Sequence, residues 1–320
     1  MLKFSLLGFG HIGRVHKKAI EDTTGVTLIS IIDSDFKGES SEIPVFTSLD
    51  EFLEKDTETD IVTIATPNGL HKEHAIRCLN AGKHVLIEKP MALTTADANE
   101  ILEVAAKVNK RVFSSMQLRF SPPVRFVKEL IEHQKLGKIY MVNIHCYWNR
   151  NRDYYKQRDW SGSKNMDGGV LFTQFSHFVD IMNYWFNETN CIYSSFYNFS
   201  HQGITDFPDS GTLQFNAGSA KGNMLFTTAV FEKNYKSEIL ILAEKGTVQI
   251  GDQYLNQLQY CNVEGVQATE ENSTENRNFH PLALSEISAA LSENRASVLD
   301  GVHAVRLVKF IEEAHLLCQN

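Results

Sequence analysis

The run Gly8-Phe9-Gly10-His11-Ile12-Gly13 follows the apolar stretch Phe4-Ser5-Leu6-Leu7 and opens a segment with helical periodicity, and no other feature restricts the fold so tightly. Three glycines at this spacing serve one geometry. The first permits a tight turn, the second lets the backbone come close to a ligand, and the third lets the helix lie against the strand. Amide groups at the start of that helix then face outward and favour a negative charge. A strand, turn and helix of this kind calls for parallel neighbours, so the chain is expected to begin as an α/β domain.

The next hundred residues agree. Short apolar runs predict strands over 3–8, 26–33, 60–66, 84–88 and 111–116, and helical patterns predict helices over 11–22, 49–54, 70–81 and 95–108. Thr94-Thr95-Ala96-Asp97 marks the start of the last helix, with Thr94 placed to satisfy open N–H groups and Asp97 suited to the positive helix end. This is a doubly wound parallel sheet. After Ser121-Pro122-Pro123 the pattern changes to a helix ending near Gly137, a long strand over 138–148, and strand-like runs over 190–199, 210–215, 222–231, 237–243 and 247–250. Turns such as Asn216-Ala217-Gly218 make this second sheet mostly antiparallel, in an α+β domain. From 281 to the end, Leu282, Ile287 and Leu291, then Val305, Val308 and Ile311, give the core stripes of two helices, while 269–278 is polar and loose. With 320 residues, two domains are expected, 1–121 and 122–320.

Asp33 ends the second strand 20 residues after Gly13, where a carboxylate can accept hydrogen bonds from the ribose hydroxyls of a dinucleotide. The same charge repels a 2′-phosphate, and Ser34-Asp35 brings no arginine to offset it, so NAD is favoured over NADP. The bland alternative is that Asp33 only caps a turn. Thirty-one basic against 39 acidic residues give a net charge of −8, with no basic run to neutralise a nucleic acid backbone. Cys78, Cys146, Cys191, Cys261 and Cys318 are scattered, with no Cys-x-x-Cys pair, and read as reduced packing residues. No apolar run is long enough for a membrane span or a signal peptide, which places the expected protein in the cytoplasm.

Two more segments fall at strand carboxyl ends, where such sheets bind ligands: Ala65-Thr66-Pro67-Asn68-Gly69-Leu70-His71 and Glu88-Lys89-Pro90. Alcohol oxidation needs a hydride acceptor and a group to manage the hydroxyl proton, and a partly buried lysine can polarise that oxygen. Lys89 is the candidate, and Pro90 after it admits a cis bond; a solvated strand-end lysine is the alternative. In the second domain, Phe172, Phe175, Val179, Met182 and Phe186 form a buried stripe, leaving His177 off it with Thr173 and Gln174 one turn earlier. His177 can exchange a proton, or be a structural histidine. His71 and His74, three apart, lack a third ligand, so no metal is expected.

These segments together resemble the glucose-fructose oxidoreductase, inositol dehydrogenase and rhizopine catabolism family over nearly the whole chain. The resemblance implies that Lys89 and His177 act at a substrate hydroxyl. It further implies that Gly8, Phe9, Gly10, His11, Ile12, Gly13, Asp33, Thr66, Pro67, Asn68, His71, Glu88, Lys89 and Gln117 line the NAD site. Many members carry aspartate where this chain has Thr173. Thr173-Gln174-Phe175-Ser176-His177, Met116-Gln117-Leu118-Arg119, Tyr154-Tyr155 and Trp160-Ser161-Gly162 look instead like the branch that oxidises the 3-hydroxyl of UDP-N-acetylglucosaminuronate, although Ser161 stands where that branch often has arginine. The branch implies a sugar or nucleotide-sugar substrate, with Lys89, Arg119, Tyr155, Lys164, Thr173, Gln174 and His177 as contacts, and a homodimer or homotetramer paired through the open face of the second sheet. A free sugar or inositol dehydrogenase, and a non-catalytic NAD- or sugar-sensing regulator, are the competing expectations.

Overall fold

The glycine turn lies at the carboxyl end of the first strand of a parallel sheet. In the computed structural model, which describes residues 1–37 and 43–318, the chain forms two compact units, residues 1–116 with 280–308 and residues 117–279 with 309–320. The first unit contains β1 (Leu2–Leu7), α1 (His11–Glu21), β2 (Val26–Ile32), β3 (Val45–Phe46), α2 (Leu49–Lys55), β4 (Ile61–Ile64), α3 (His71–Asn80), β5 (His84–Ile87), α4 (Thr95–Lys107) and β6 (Val112–Ser114). Its strands run in the order β3-β2-β1-β4-β5-β6, all parallel. Strand order reverses between β1 and β4, so the loops after these two strands flank the crevice where such a sheet takes its ligand. Both faces are covered, and Phe4, Leu6, Ile61, Val62, Ile64, Val85 and Ile87 are all buried. Ser5 is buried among them because its hydroxyl is bonded to those of Ser30 and Thr59, each at 2.7 Å. Thr94 caps α4 as expected, accepting the Asp97 N–H at 3.1 Å.

The second unit comprises α5 (Pro122–Glu132), β7 (Ile139–Tyr147), α6 (Arg152–Lys156), α7 (Val170–Thr173), α8 (Ser176–Trp185), β8 (Thr189–Tyr197), β9 (Ser210–Ala217), β10 (Ala220–Thr227), β11 (Lys236–Ala243), β12 (Gly246–Gly251) and β13 (Gln257–Val263). Its sheet has the order β13-β12-β11-β7-β10-β9-β8, antiparallel except where β10 lies parallel to β7. One face is buried by Val142, Ile144, Cys146, Leu213, Phe215, Met224 and Phe226. The other face leaves Met141, Tyr193, Tyr197 and Leu225 exposed. The two tail helices are α9 (His280–Ser292) and α10 (Gly301–Leu316).

Three features depart from the sequence expectation. The tail does not all belong with the second domain, because 280–308 packs in the first unit. Arg111 draws it there, donating to Ala290 O at 2.8 Å and pairing with Asp300 at 2.6 Å, while Ser114 N–H donates to Leu299 O at 2.9 Å. These partners lie up to 189 residues apart, beyond the reach of any periodic signal. The stripe from Phe172 to Phe186 does not lie on one helix, which is broken between Thr173 and Ser176. The stripe nonetheless stays buried. The short edge strand β3 and the polar strand β13 were not expected at all.

Candidate functional site

The glycine loop has the close contacts its spacing demands. At Gly8, with φ +94°, an added Cβ would stand 2.7 Å from Ala65 O, and at Gly13 one would stand 2.2 Å from Gly8 O. At Gly10 an added Cβ would meet nothing within 4 Å, so that side of the loop is open. His11 is exposed and Ile12 half-buried at the start of α1. Asp33 caps its own turn by accepting the Asp35 N–H at 2.8 Å, and its other oxygen accepts the Phe9 N–H at 2.6 Å. Each carboxylate oxygen still has a lone pair to offer a ribose hydroxyl. The open side at Gly10 beside the α1 N-terminus, together with this carboxylate, fits a dinucleotide.

The loops after β4 and β5 are tied together from below. His71 is fully buried, with Nδ1 2.7 Å from Pro90 O and Nε2 2.9 Å from Thr66 O. It was expected at the cofactor; instead both ring nitrogens face carbonyls of the two loops, and the single N–H of the neutral imidazole donates to one of them. Burial pushes its pKa down, against the pull of those carbonyls. Glu88 is likewise a support and not an exposed contact: Oε1 lies 2.6 Å from His16 Nε2, and Oε2 accepts the Lys89 N–H at 3.2 Å. Burial alone would raise its carboxyl, but the His16 bond and the charges of His16, His280 and Lys89 hold it well below the usual range. The Lys89–Pro90 bond is cis, and Lys89 is half-buried. Thr66 and Pro67 are half-buried, with the Thr66 hydroxyl 3.0 Å from His74 Nδ1, and Asn68 is buried at the head of the short turn Asn68–Leu70.

His16, Glu88 and His280 could be taken for a metal centre, with ligand atoms within 4.8 Å of one another. The 2.6 Å separation of His16 and Glu88 is that of a hydrogen bond; two ligands each about 2 Å from one tetrahedral ion stand farther apart. Burial, with His16 beside it, pushes the His280 pKa down to about 4.

In the second unit Gln117 is buried at the start of the turn Gln117–Phe120, and its Oε1 accepts no hydrogen bond. Arg119 and Tyr155, expected to meet substrate, are interior residues. The Arg119 guanidinium faces Asp180 with two bonds, at 3.0 and 2.6 Å, and is 3% exposed. Tyr155 packs against Tyr154, His201 and Phe207, and burial pushes its phenol pKa up. Lys164 is exposed. Thr173 donates its hydroxyl to the carboxylate of Asp167 in the preceding glycine turn. Gln174 accepts from Arg150 Nε at 2.7 Å and donates to Tyr154 Oη at 2.8 Å. His177 is half-buried as the second residue of α8. Sequence reasoning passed over Arg150, Asp167, His16 and His280. Only Arg150 left a local signal, as a cation closing the aromatic strand end Tyr147-Trp148-Asn149.

Two family models match the chain, an oxidoreductase family with an NAD-binding Rossmann fold over residues 2–116 and a GFO/IDH/MocA C-terminal domain over residues 124–249. The WlbA dehydrogenase of Chromobacterium violaceum, solved with NADH and UDP-GlcNAcA, is 29% identical with a TM-score of 0.91, covering 99% of this chain and 93% of that one. The WlbA dehydrogenase of Bordetella pertussis, with the same two ligands, is 27% identical with a TM-score of 0.92, covering 98% and 95%. Among curated proteins, a glucose-6-phosphate 3-dehydrogenase of Bacillus subtilis is 29% identical over 195 residues, 59% of this chain and 55% of that protein. The match spans 55% of that protein's length, and 35% and 47% of two further oxidoreductases, from Bacillus subtilis and Streptococcus pneumoniae.

Proposed function

Because this chain belongs to the NAD-binding GFO/IDH/MocA oxidoreductase family, we propose that it oxidises a ring hydroxyl of a sugar, at C3 of a nucleotide-linked amino-sugar or its uronate. The observation that carries this reading is the full-length likeness to two WlbA dehydrogenases solved with NADH and UDP-GlcNAcA. It agrees with the Thr-Gln-x-x-His segment at 173–177.

Bound NAD supplies the hydride acceptor. Lys89 donates a hydrogen bond to the substrate hydroxyl and stabilises negative charge growing on its oxygen. His177 takes the hydroxyl proton as the C–H electron pair leaves carbon, so that alcohol becomes ketone with one hydride and one proton removed. The Glu88 carboxylate and the His71 bridge fix the backbone on either side of the Lys89–Pro90 bond, which sets where the ammonium can reach. Asp33 selects NAD by its charge. The protein works in the cytoplasm as a homodimer or homotetramer.

NADH absorbance followed with UDP-sugars, UDP-uronates, glucose 6-phosphate, free hexoses and inositols tests the proposal, and parallel reactions with 2-oxoglutarate, read by formation of the oxidised sugar, detect turnover in which retained NADH is recycled. Turnover of a UDP-linked uronate, abolished in Lys89→Ala, is expected. Turnover confined to glucose 6-phosphate would support a second reading favoured by the Bacillus subtilis relative. Tight NAD binding without turnover of any of these would favour a non-catalytic sensor.

A further inference from the structure

Arg150 differs from the other enclosed arginine of the second unit. Arg119 is matched by the Asp180 carboxylate. Arg150 is half-buried, yet among the described residues no carboxylate stands within ion-pair distance of it. Its partners are neutral: Gln174 Oε1 at 2.7 Å, Asn149 O at 2.6 Å and Asn234 Oδ1 at 3.2 Å. The rings of Trp148 and Tyr154 hold the guanidinium, at 4.9 and 5.0 Å from its carbon. Burial works against its charged form, and the ionisable groups that act on it are the phenols of Tyr154, Tyr155 and Tyr254. A guanidinium stays protonated regardless, so the charge is carried without a counter-ion.

The backbone around it is fixed. Arg150 N–H donates to Thr228 O at 2.8 Å, and Arg150 O accepts from His201 Nε2 at 2.5 Å. His201 is itself anchored 3.1 Å from Asp209, a fully buried carboxylate. A rigid, partly desolvated cation with no anion of its own is costly to keep, and the cost is recovered when a ligand brings the anion. Gln174, bonded to the same guanidinium, lies three residues before His177.

We infer that Arg150, with Gln174 and Tyr154, forms a subsite for an anionic substituent of the sugar, a carboxylate or a phosphate. This rests on the proposed sugar oxidation and adds that the enzyme prefers acidic sugars over their neutral counterparts. Nε and Nη1 are taken by Gln174, Asn149 and Asn234, so the anion is met by the N–H groups of Nη2, with the charge held beside the Trp148 and Tyr154 rings.

The test reads a ratio, so that general loss of folding or activity cancels. For wild type, Arg150→Met and Arg150→Lys, kcat/KM is measured for UDP-GlcNAcA against UDP-GlcNAc and for glucose 6-phosphate against glucose. The acidic-to-neutral ratio is expected to fall about 10- to 100-fold in Arg150→Met, as loss of a charge-assisted bond implies, and less in Arg150→Lys. Which pair shows the fall identifies carboxylate or phosphate. A ratio within twofold of wild type in both pairs overturns the inference. Should no sugar be oxidised, titration of the NAD-loaded protein with glucuronate, glucose 6-phosphate and glucose, read by tryptophan fluorescence, decides independently. Quenching by an acid but not by glucose, lost in Arg150→Met, upholds the subsite while the oxidation reading fails. Equal responses to all three overturn it.

Discussion

Asp33 shows why the cofactor site could be read from sequence while much of its support could not. The residue type, its place after a strand and its distance from Gly13 are local facts, and all three survive in the structure. Its second duty, holding the Phe9 N–H, is visible only in three dimensions. Asp33→Ala therefore removes both a ribose acceptor and a brace of the glycine loop, and NAD affinity measured by calorimetric titration is expected to fall about 10- to 100-fold, the worth of one or two bonds to a charged group. Arg119 is the opposite case. A cation near a strand end looks like a ligand contact until Asp180, 61 residues on, is seen to consume it. Arg119→Ala strands a buried carboxylate, and the denaturation midpoint should report a loss of about 3–5 kcal/mol.

At the scale of elements, β1, β2, β4, β5, α1, α3 and α4 were legible because each carries its own period and its own punctuation, glycine or a capping threonine. The break after α7 was not, because no glycine or proline marks it and Gln174, which lies in it, is bonded to Arg150 and Tyr154, 24 and 20 positions away in the chain. The turn before α1 lends itself to a direct check. Gly13→Ala puts a methyl carbon 2.2 Å from Gly8 O, a backbone atom with no flexible end to move aside. The loop must open, so NAD binding should be lost in an equilibrium titration while far-ultraviolet circular dichroism stays close to wild type. Retained NAD affinity would show that the loop tolerates the shift.

For the whole molecule, the buried histidines set an acid limit. His280 has its pKa lowered from 6.5 to about 4 on folding, so between these values the unfolded chain binds the extra proton and stability falls as pH falls. The contribution is intact above pH 6.5 and about 2 kcal/mol of it is gone by pH 5. Glu88, whose carboxyl is held low, adds a further loss in the same direction at still lower pH. Thermal melts at pH 7 and pH 5 should show the drop, and His280→Phe should shrink it; an unchanged difference would move the acid sensitivity elsewhere. Tail residues such as His280 could not be assigned from sequence, since what ties α9 and the first half of α10 to the parallel sheet is contact with residues near Arg111 and Glu88.

That return of the tail has a consequence for how the protein is made. A ribosome makes the glycine loop before, and α9 only after, the whole of 117–279, so the nucleotide-binding unit cannot complete its core until that stretch has been synthesised. The second unit also waits for the end of α10, but its whole sheet lies within 117–279 and can pair in the meantime. A stalled nascent chain ending near residue 279 should therefore resist protease across the second sheet while its N-terminal hundred residues are still cut.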